Sequence, residues 1–267
     1  MTSNLFTDMK IKQYIVDAFA ERTFEGNPAA ICVLERWLPD ELMQKIASEN
    51  NLSETAFLVP TEDTYGLRWF TPNGEIDLCG HATMAATYVV TTYLDTGKTD
   101  IAFSTRSGRL TAINKGGIFY IELPAFCLTP VPAPASIIKA IGVEPVETFM
   151  GRDMLCVLPS AEDVKAVSPD LNEIASYDGL LFHITAKGEE CDCVSRTFAP
   201  KCGVPEDAVC GSGHCHIVPY WSGKLRKAEL TARQASPRGG TLHCRYANDK
   251  VILGGRCVLF SEAVIRL

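Results

Sequence analysis

The chain has 267 residues, 46% hydrophobic and 21% charged, an ordinary globular composition that allows one large domain or two smaller ones. Its formal net charge of -7 excludes a broad basic groove for nucleic acid, but not a small anionic substrate, which a helix N-terminus can hold without side-chain charge. No stretch reaches the ~18 uninterrupted apolar residues of a membrane span, and Met1 to Lys10 lack the charged start and apolar run of a secretion signal. The expectation is a soluble cytoplasmic protein with neither nucleic-acid nor membrane partners.

Runs rich in β-branched and aromatic residues, bounded by Gly, Pro, Asn or Asp, predict strands at 12–19, 29–34, 55–59, 67–70, 118–123, 154–158 and 251–253. Helices are predicted at 40–50, where Pro39 and Asp40 mark the start, and at 134–141 and 170–174. Two longer helices open at Cys79-Gly80 and Cys210-Gly211 and end near Leu94 and Leu225. The first is apolar or small around most of its circumference, which predicts a buried helix. The second carries Pro219, predicted to kink it or unravel its first turns.

An internal repeat organises these elements. Arg68-x-Phe70-x-Pro72 is followed seven residues later by Cys79-Gly80, and Arg196-x-Phe198-x-Pro200 ten residues later by Cys210-Gly211. Each pair opens its long helix, and each helix leads to a basic, glycine-containing turn: Arg106-Ser107-Gly108, then Pro237-Arg238-Gly239-Gly240. Four features in one order, twice, predict a duplicated domain with a pseudo-twofold axis rather than a solenoid. The fold class expected is α/β (α+β), with two pseudo-symmetric lobes, each a curved, mostly antiparallel half-barrel around a central helix. The division places an N-terminal lobe at 1–125, completed by a C-terminal strand at 257–267, and a C-terminal lobe at 126–256.

The helix starts are the chemical focus. A thiol there sits in the positive end of the helix dipole, which lowers its pKa below the usual ~8.5. The free N–H groups of Gly80, His81 and Ala82, and of Gly211, Ser212 and Gly213, can hold a carboxylate. Each Cys can equally be a small buried hydrophobe. Glu54 stands where a helix hands over to a buried strand, a half-desolvated place suited to acid–base work or simply a strand-start residue. His81 is a substrate-orienting group or a core histidine; Asp207 is a substrate contact or a turn carboxylate. His214 and His216 read as helix-packing and rim residues.

Eleven cysteines, an odd number, favour reduced thiols. Cys191, Cys193, Cys202, His214, His216 and His243 include zinc-type donors but no CxxC or HxxxH pair, so no metal site is expected.

Four segments carry a family resemblance: Phe24-x-Gly26-Asn27-Pro28-Ala29-Ala30, Asn51-Leu52-Ser53-Glu54-Thr55-Ala56-Phe57, Asp77-Leu78-Cys79-Gly80-His81-Ala82-Thr83, and Gly203-Val204-Pro205-Glu206-Asp207-x-Val209-x-Gly211-Ser212. With Pro219-Tyr220-Trp221 and Arg238-Gly239-Gly240 they resemble the phenazine-biosynthesis PhzF-like isomerases, in order, over nearly the whole chain. The resemblance implies a diaminopimelate-epimerase-like fold, a homodimer, and no metal or organic cofactor. It gives Glu54 the proton shuttle, makes His81 and Asp207 substrate contacts, and seats the substrate carboxylate at Gly80 and at Gly211-Ser212.

Two departures stand out. Ala208 replaces the usual Pro, and Cys210-Gly211-Ser212-Gly213 stands where such enzymes commonly have Thr-Gly-Ser-Ala. Cys79 and Cys210 thereby resemble the thiol pair of diaminopimelate epimerase and proline racemase. Three functions stay open at this point: an isomerase with a Glu acid/base acting on a small carboxylate, a two-cysteine amino-acid racemase or epimerase, and a non-catalytic small-molecule binding protein.

Overall fold

The computed structural model describes residues 9–267, so most of the segment read above for a secretion signal lies outside the described residues. Among the described residues, eighteen strands join into one continuous sheet that curves around two central helices. Among the described residues no helix is long and apolar enough to cross a membrane.

The strand order itself is duplicated. Strand Asn27–Val33 runs parallel to Glu54–Pro60, with helix Asp40–Asn50 in the crossover. Strand Tyr65–Thr71 returns antiparallel, and after the first central helix Asp100–Thr105 comes back parallel to it. The series recurs downstream. Met154–Val157 runs parallel to Phe182–Lys187, Cys193–Ala199 returns antiparallel, and Glu229–Gln234 comes back parallel to Cys193–Ala199. The seam is strand Ile118–Pro124 against Lys250–Gly255, and the final strand Cys257–Arg266 pairs along its length with Lys10–Ala18.

The repeated arginines hold matching hairpins. Arg68 grips Glu75 with two bonds of 2.7 and 2.6 Å, and Arg196 grips Glu206 with two of 2.8 and 2.9 Å. Each guanidinium also lies over the phenylalanine two residues on, Phe70 at 5.2 Å and Phe198 at 5.0 Å. The fork geometry needs a planar guanidinium, which explains Arg in both copies. Each gripped glutamate stands four residues before the Cys that caps the following helix, so the clasp sets where that helix begins.

The first central helix, Gly80–Val89, continues through a π-helical turn to Leu94. Its three buried threonines each bond one turn back through the hydroxyl: Thr83 to Cys79 O, Thr87 to Thr83 O and Thr91 to Thr87 O, at 2.5, 2.8 and 3.0 Å. Met84, Val89 and Val90 are fully buried, worth about 1.5–3 kcal/mol each.

The second central helix, Gly211–Leu225, is continuous through Pro219, so its first turns are not unravelled. Proline removes the N–H that would bond Cys215 O, but the backbone N–H of Phe126 reaches that carbonyl at 3.0 Å. A partner from outside the helix replaces the lost rung.

Candidate active site

The two helix starts converge, and the side chains around them form one chain of contacts. From the first half, Glu54 stands at the start of its strand beside His81, with Oε2 3.0 Å from Nε2. The N–H is poorly aimed at the carboxylate, so neither atom has a hydrogen-bond partner although both are buried. Glu54 and His81 side chains are 15% and 7% exposed, so the pair is largely shielded from water. His81 Nδ1 lies 3.5 Å from Cys79 Sγ and 3.3 Å from Asn27 Nδ2.

Asn27 bridges the halves. Its Nδ2 donates to Asp207 Oδ1 at 2.8 Å and to Val209 O at 3.1 Å. Two oxygens at that end fix the amide orientation. Both amide hydrogens are taken by those two oxygens, so the 3.3 Å approach of His81 Nδ1 to Asn27 Nδ2 is a packing contact that positions the ring. Asn27 is held by its loop. Gly26 sits at φ 69°, a Cβ there would fall 2.2 Å from Ala18 O, and Arg238 ties Gly26 O and Asp17 Oδ1 at 2.8 and 2.7 Å.

In the second half, Cys210 N–H donates to Gln234 Oε1 at 2.8 Å, while Gln234 Nε2 donates to Asp207 O at 2.7 Å. Cys210 caps its helix by accepting Gly213 N–H on sulfur at 3.2 Å. Gly80, His81, Gly211 and Ser212 begin their helices with no carbonyl a turn back to bond, so their N–H groups are free for an anion.

The thiols depart from the sequence expectation of a lowered pKa. Burial pushes Cys79 up, assisted by the Glu54 charge, and burial with the Asp207 charge pushes Cys210 well above the usual thiol range. Only 7% and 3% of these residues is exposed, and desolvation of a thiolate outweighs the dipole. Burial likewise raises the Asp207 carboxyl, against the pull of His81. For His81, burial lowers the pKa, but Cys79 and Glu54 outweigh it and hold the ring well above its usual value.

Behind the second helix start lies a polar cluster that the sequence did not reveal. Asp153 is fully buried, accepts from Leu180 and Leu181 N–H at 2.9 and 3.1 Å, and pairs with Arg152 and His183. His183 Nδ1 meets Thr197 Oγ1 at 3.0 Å, and His216 Nε2 accepts Asp153 N–H at 3.2 Å. His214 and His216 are both fully buried, so the rim expected for them is an interior.

Burial depresses these two imidazoles, His214 to about 4 and His216 to about 3, with His183 adding to the effect. A base depressed on folding contributes stability above pH ~6.5 that is lost as pH falls. Urea unfolding at pH 7 and pH 4 should show a loss of about 3 kcal/mol from His214 alone; equal midpoints would contradict it.

The cluster also explains Gly213. A Cβ there would fall 2.8 Å from His183 Cε1 and 3.1 Å from Thr197 Oγ1. Gly213→Ala is expected to cost about 1–3 kcal/mol by overpacking, read as a lowered Tm; an unchanged Tm would show that the ring gives way.

Two donor sets lie within 4.8 Å: Glu54, Cys79 and His81, and Asp153, His183 and His216. In the second, the Arg152 guanidinium already occupies Asp153 Oδ2.

A family model described as phenazine biosynthesis-like protein matches residues 16–263. An uncharacterized isomerase of Pseudomonas aeruginosa is 42% identical over 260 residues, covering 97% of this chain and all of the relative. The crystal structure of a PhzF-family phenazine biosynthesis protein from Enterococcus faecalis superimposes with a TM-score of 0.95 at 44% identity, over 97% of this chain and 100% of the other. A hydroxyproline epimerase from Agrobacterium vitis shares the fold, with a TM-score of 0.61 at 10% identity over 97% and 93% of the chains.

Proposed function

This chain belongs to the phenazine biosynthesis-like PhzC–PhzF family, and from that premise we propose that it is an isomerase moving a proton between carbons of a small carboxylate-bearing substrate, with Glu54 as its acid–base group. The observation that carries this reading is the nearly buried pair Glu54 Oε2 and His81 Nε2, 3.0 Å apart and with no further hydrogen-bond partner among the described residues, set beside two open helix starts. The N–H groups at Gly80 and at Gly211-Ser212 receive the substrate carboxylate. Glu54 takes a proton from an adjacent carbon, the C–H electron pair moves into the conjugated system, and Glu54 returns the proton at another carbon. A double bond shifts and no electrons are gained or lost. His81, protonated on Nε2, steadies the carboxylate, and Asp207, held by Asn27, contacts the substrate from the second half.

Cys79 and Cys210 act as neutral thiols in this scheme. One observation favours the competing two-thiol racemase: both caps are cysteine, on opposite helix starts. There, a thiolate removes an α-proton and the other thiol supplies one from the opposite face.

The test is a panel of small amino, hydroxy and cyclohexadiene acids incubated with the protein in D2O and followed by NMR. Deuterium entering a carbon is the expected result, unchanged after dialysis against a chelator, since the reaction as proposed needs no metal or cofactor. Silence across the panel, with stoichiometric ligand binding, would support a non-catalytic binding protein instead. The same reading places the enzyme in the cytoplasm as a homodimer.

A further inference from the structure

The duplicated fold allows the two helix starts to be compared position by position. Aligned on Cys79 and Cys210, His81 corresponds to Ser212. His81 faces a carboxylate, Glu54, at 3.0 Å. Ser212 faces a cation: Arg152 Nη2 lies 3.1 Å from Ser212 Oγ. One start therefore carries the proton-handling pair and the other a fixed positive charge.

Arg152 is built into this place. Its Nε and Nη2 donate to Asp153 Oδ2 at 2.9 and 2.5 Å, and the guanidinium lies over the Phe126 ring at 4.9 Å. Asp153 is in turn fixed by two backbone N–H groups and His183, so the guanidinium cannot swing away cheaply. Among the described residues Nη1 makes no hydrogen bond, and the side chain is 40% exposed. The guanidinium stands at the second helix start itself: the Ser212 hydroxyl that it reaches lies 3.5 Å from Cys210 Sγ.

Electrostatics gives the arrangement a purpose. The site holds the carboxyl groups of Glu54 and Asp207, with the His81 cation beside Glu54. Helix N–H groups carry only partial charge. At the end away from Glu54, Asp153 holds Arg152 Nε and Nη2 and leaves Nη1 to meet a substrate carboxylate.

We propose that Arg152 is a specificity-determining residue that, with Ser212, receives the substrate's carboxylate at the second helix start and so orients the substrate with its reacting carbon toward Glu54. The proposal rests on the isomerase reading above and names the substrate's polarity within it. An amide or ester of the same acid binds less well because it offers Arg152 Nη1 no charged oxygen.

The experiment uses benzoate and benzamide, an acid and its neutral isostere, titrated into the full-length protein by ligand-observed NMR. The wild type should prefer benzoate by about tenfold or more, and Arg152→Gln should abolish that preference. Arg152→Lys, which keeps the charge and loses the fork, should retain part of it and guards against misfolding of the Gln variant. A wild type that does not discriminate, an Arg152→Gln protein that still does, or an Arg152→Lys protein with unchanged affinity would overturn the proposal.

The two readings fail separately. Arg152-dependent benzoate binding without deuterium exchange on any acid removes the isomerase. Exchange in Arg152→Gln at unchanged KM removes the role of Arg152, whereas the role requires KM to rise with kcat largely kept.

Discussion

Glu54→Gln should reduce proton exchange by a factor of about 10² to 10⁴ while leaving the fold and substrate affinity nearly intact. The amide is isosteric with the carboxylate and cannot accept a proton on the substrate's scale. Glu54 pairs with His81, whose raised pKa its charge supports, and its Oε2 accepts no hydrogen bond among the described residues. The Tm should therefore fall only by what that pair contributes, and the loss of activity should appear in kcat. Cys79→Ala and Cys210→Ala should each stay within about tenfold, since neither thiol ionises readily where it lies. Cys210→Ala also removes a helix cap, bonded by Gly213 N–H, and should cost about 1 kcal/mol of stability.

Asp153→Ala should have the largest effect on stability, about 3–5 kcal/mol measured by urea unfolding. The carboxylate is fully buried, and its removal leaves two backbone N–H groups, a guanidinium and an imidazole without their partner. The bonds from His183 and Arg152 overcome burial and hold Asp153 well below the usual carboxylate range. A group depressed in this way contributes stability above pH ~4 and loses it as pH falls further, so the deficit of the variant should shrink in acid. A loss below about 1 kcal/mol at pH 7 would mean that water replaces the carboxylate. Much of the expected loss is a large share of a total stability of about 5–15 kcal/mol.

The duplicated architecture was legible because physics forces the same residues in both copies. A planar cation must grip the hairpin glutamate, and a small residue must open each buried helix, so Arg-x-Phe-x-Pro and Cys-Gly recur. The buried character of the first central helix was legible for the same kind of reason: its circumference offers no polar face. Glu54, Cys79, Gly80 and His81 gather at one start and Asp207, Cys210, Gly211 and Ser212 at the other, in contact through Asn27.

What was not legible depends on partners far away in the chain. Pro219 reads as a helix breaker until Phe126 supplies the missing N–H. The lowered thiol pKa follows from the dipole alone, and fails once Glu54, Asp207 and full burial are included. Asn27 stood inside a quoted motif, but its bond to Asp207 spans 180 residues. Arg152 meets Ser212 across 60 residues with no spacing to announce it, and Asp153 gathers its partners from three separate segments. Gly213 carries one signal: a glycine inside a helix start marks a neighbour, His183, that fills the space a Cβ would take.

Deuterium exchange measured side by side on Glu54→Gln and on the double variant Cys79→Ala/Cys210→Ala, with a substrate found in the panel, tests the role of Glu54 most directly. Exchange should vanish in Glu54→Gln and persist in the double variant. Exchange that survives in Glu54→Gln and stops in the double variant would assign the proton transfer to the two thiols.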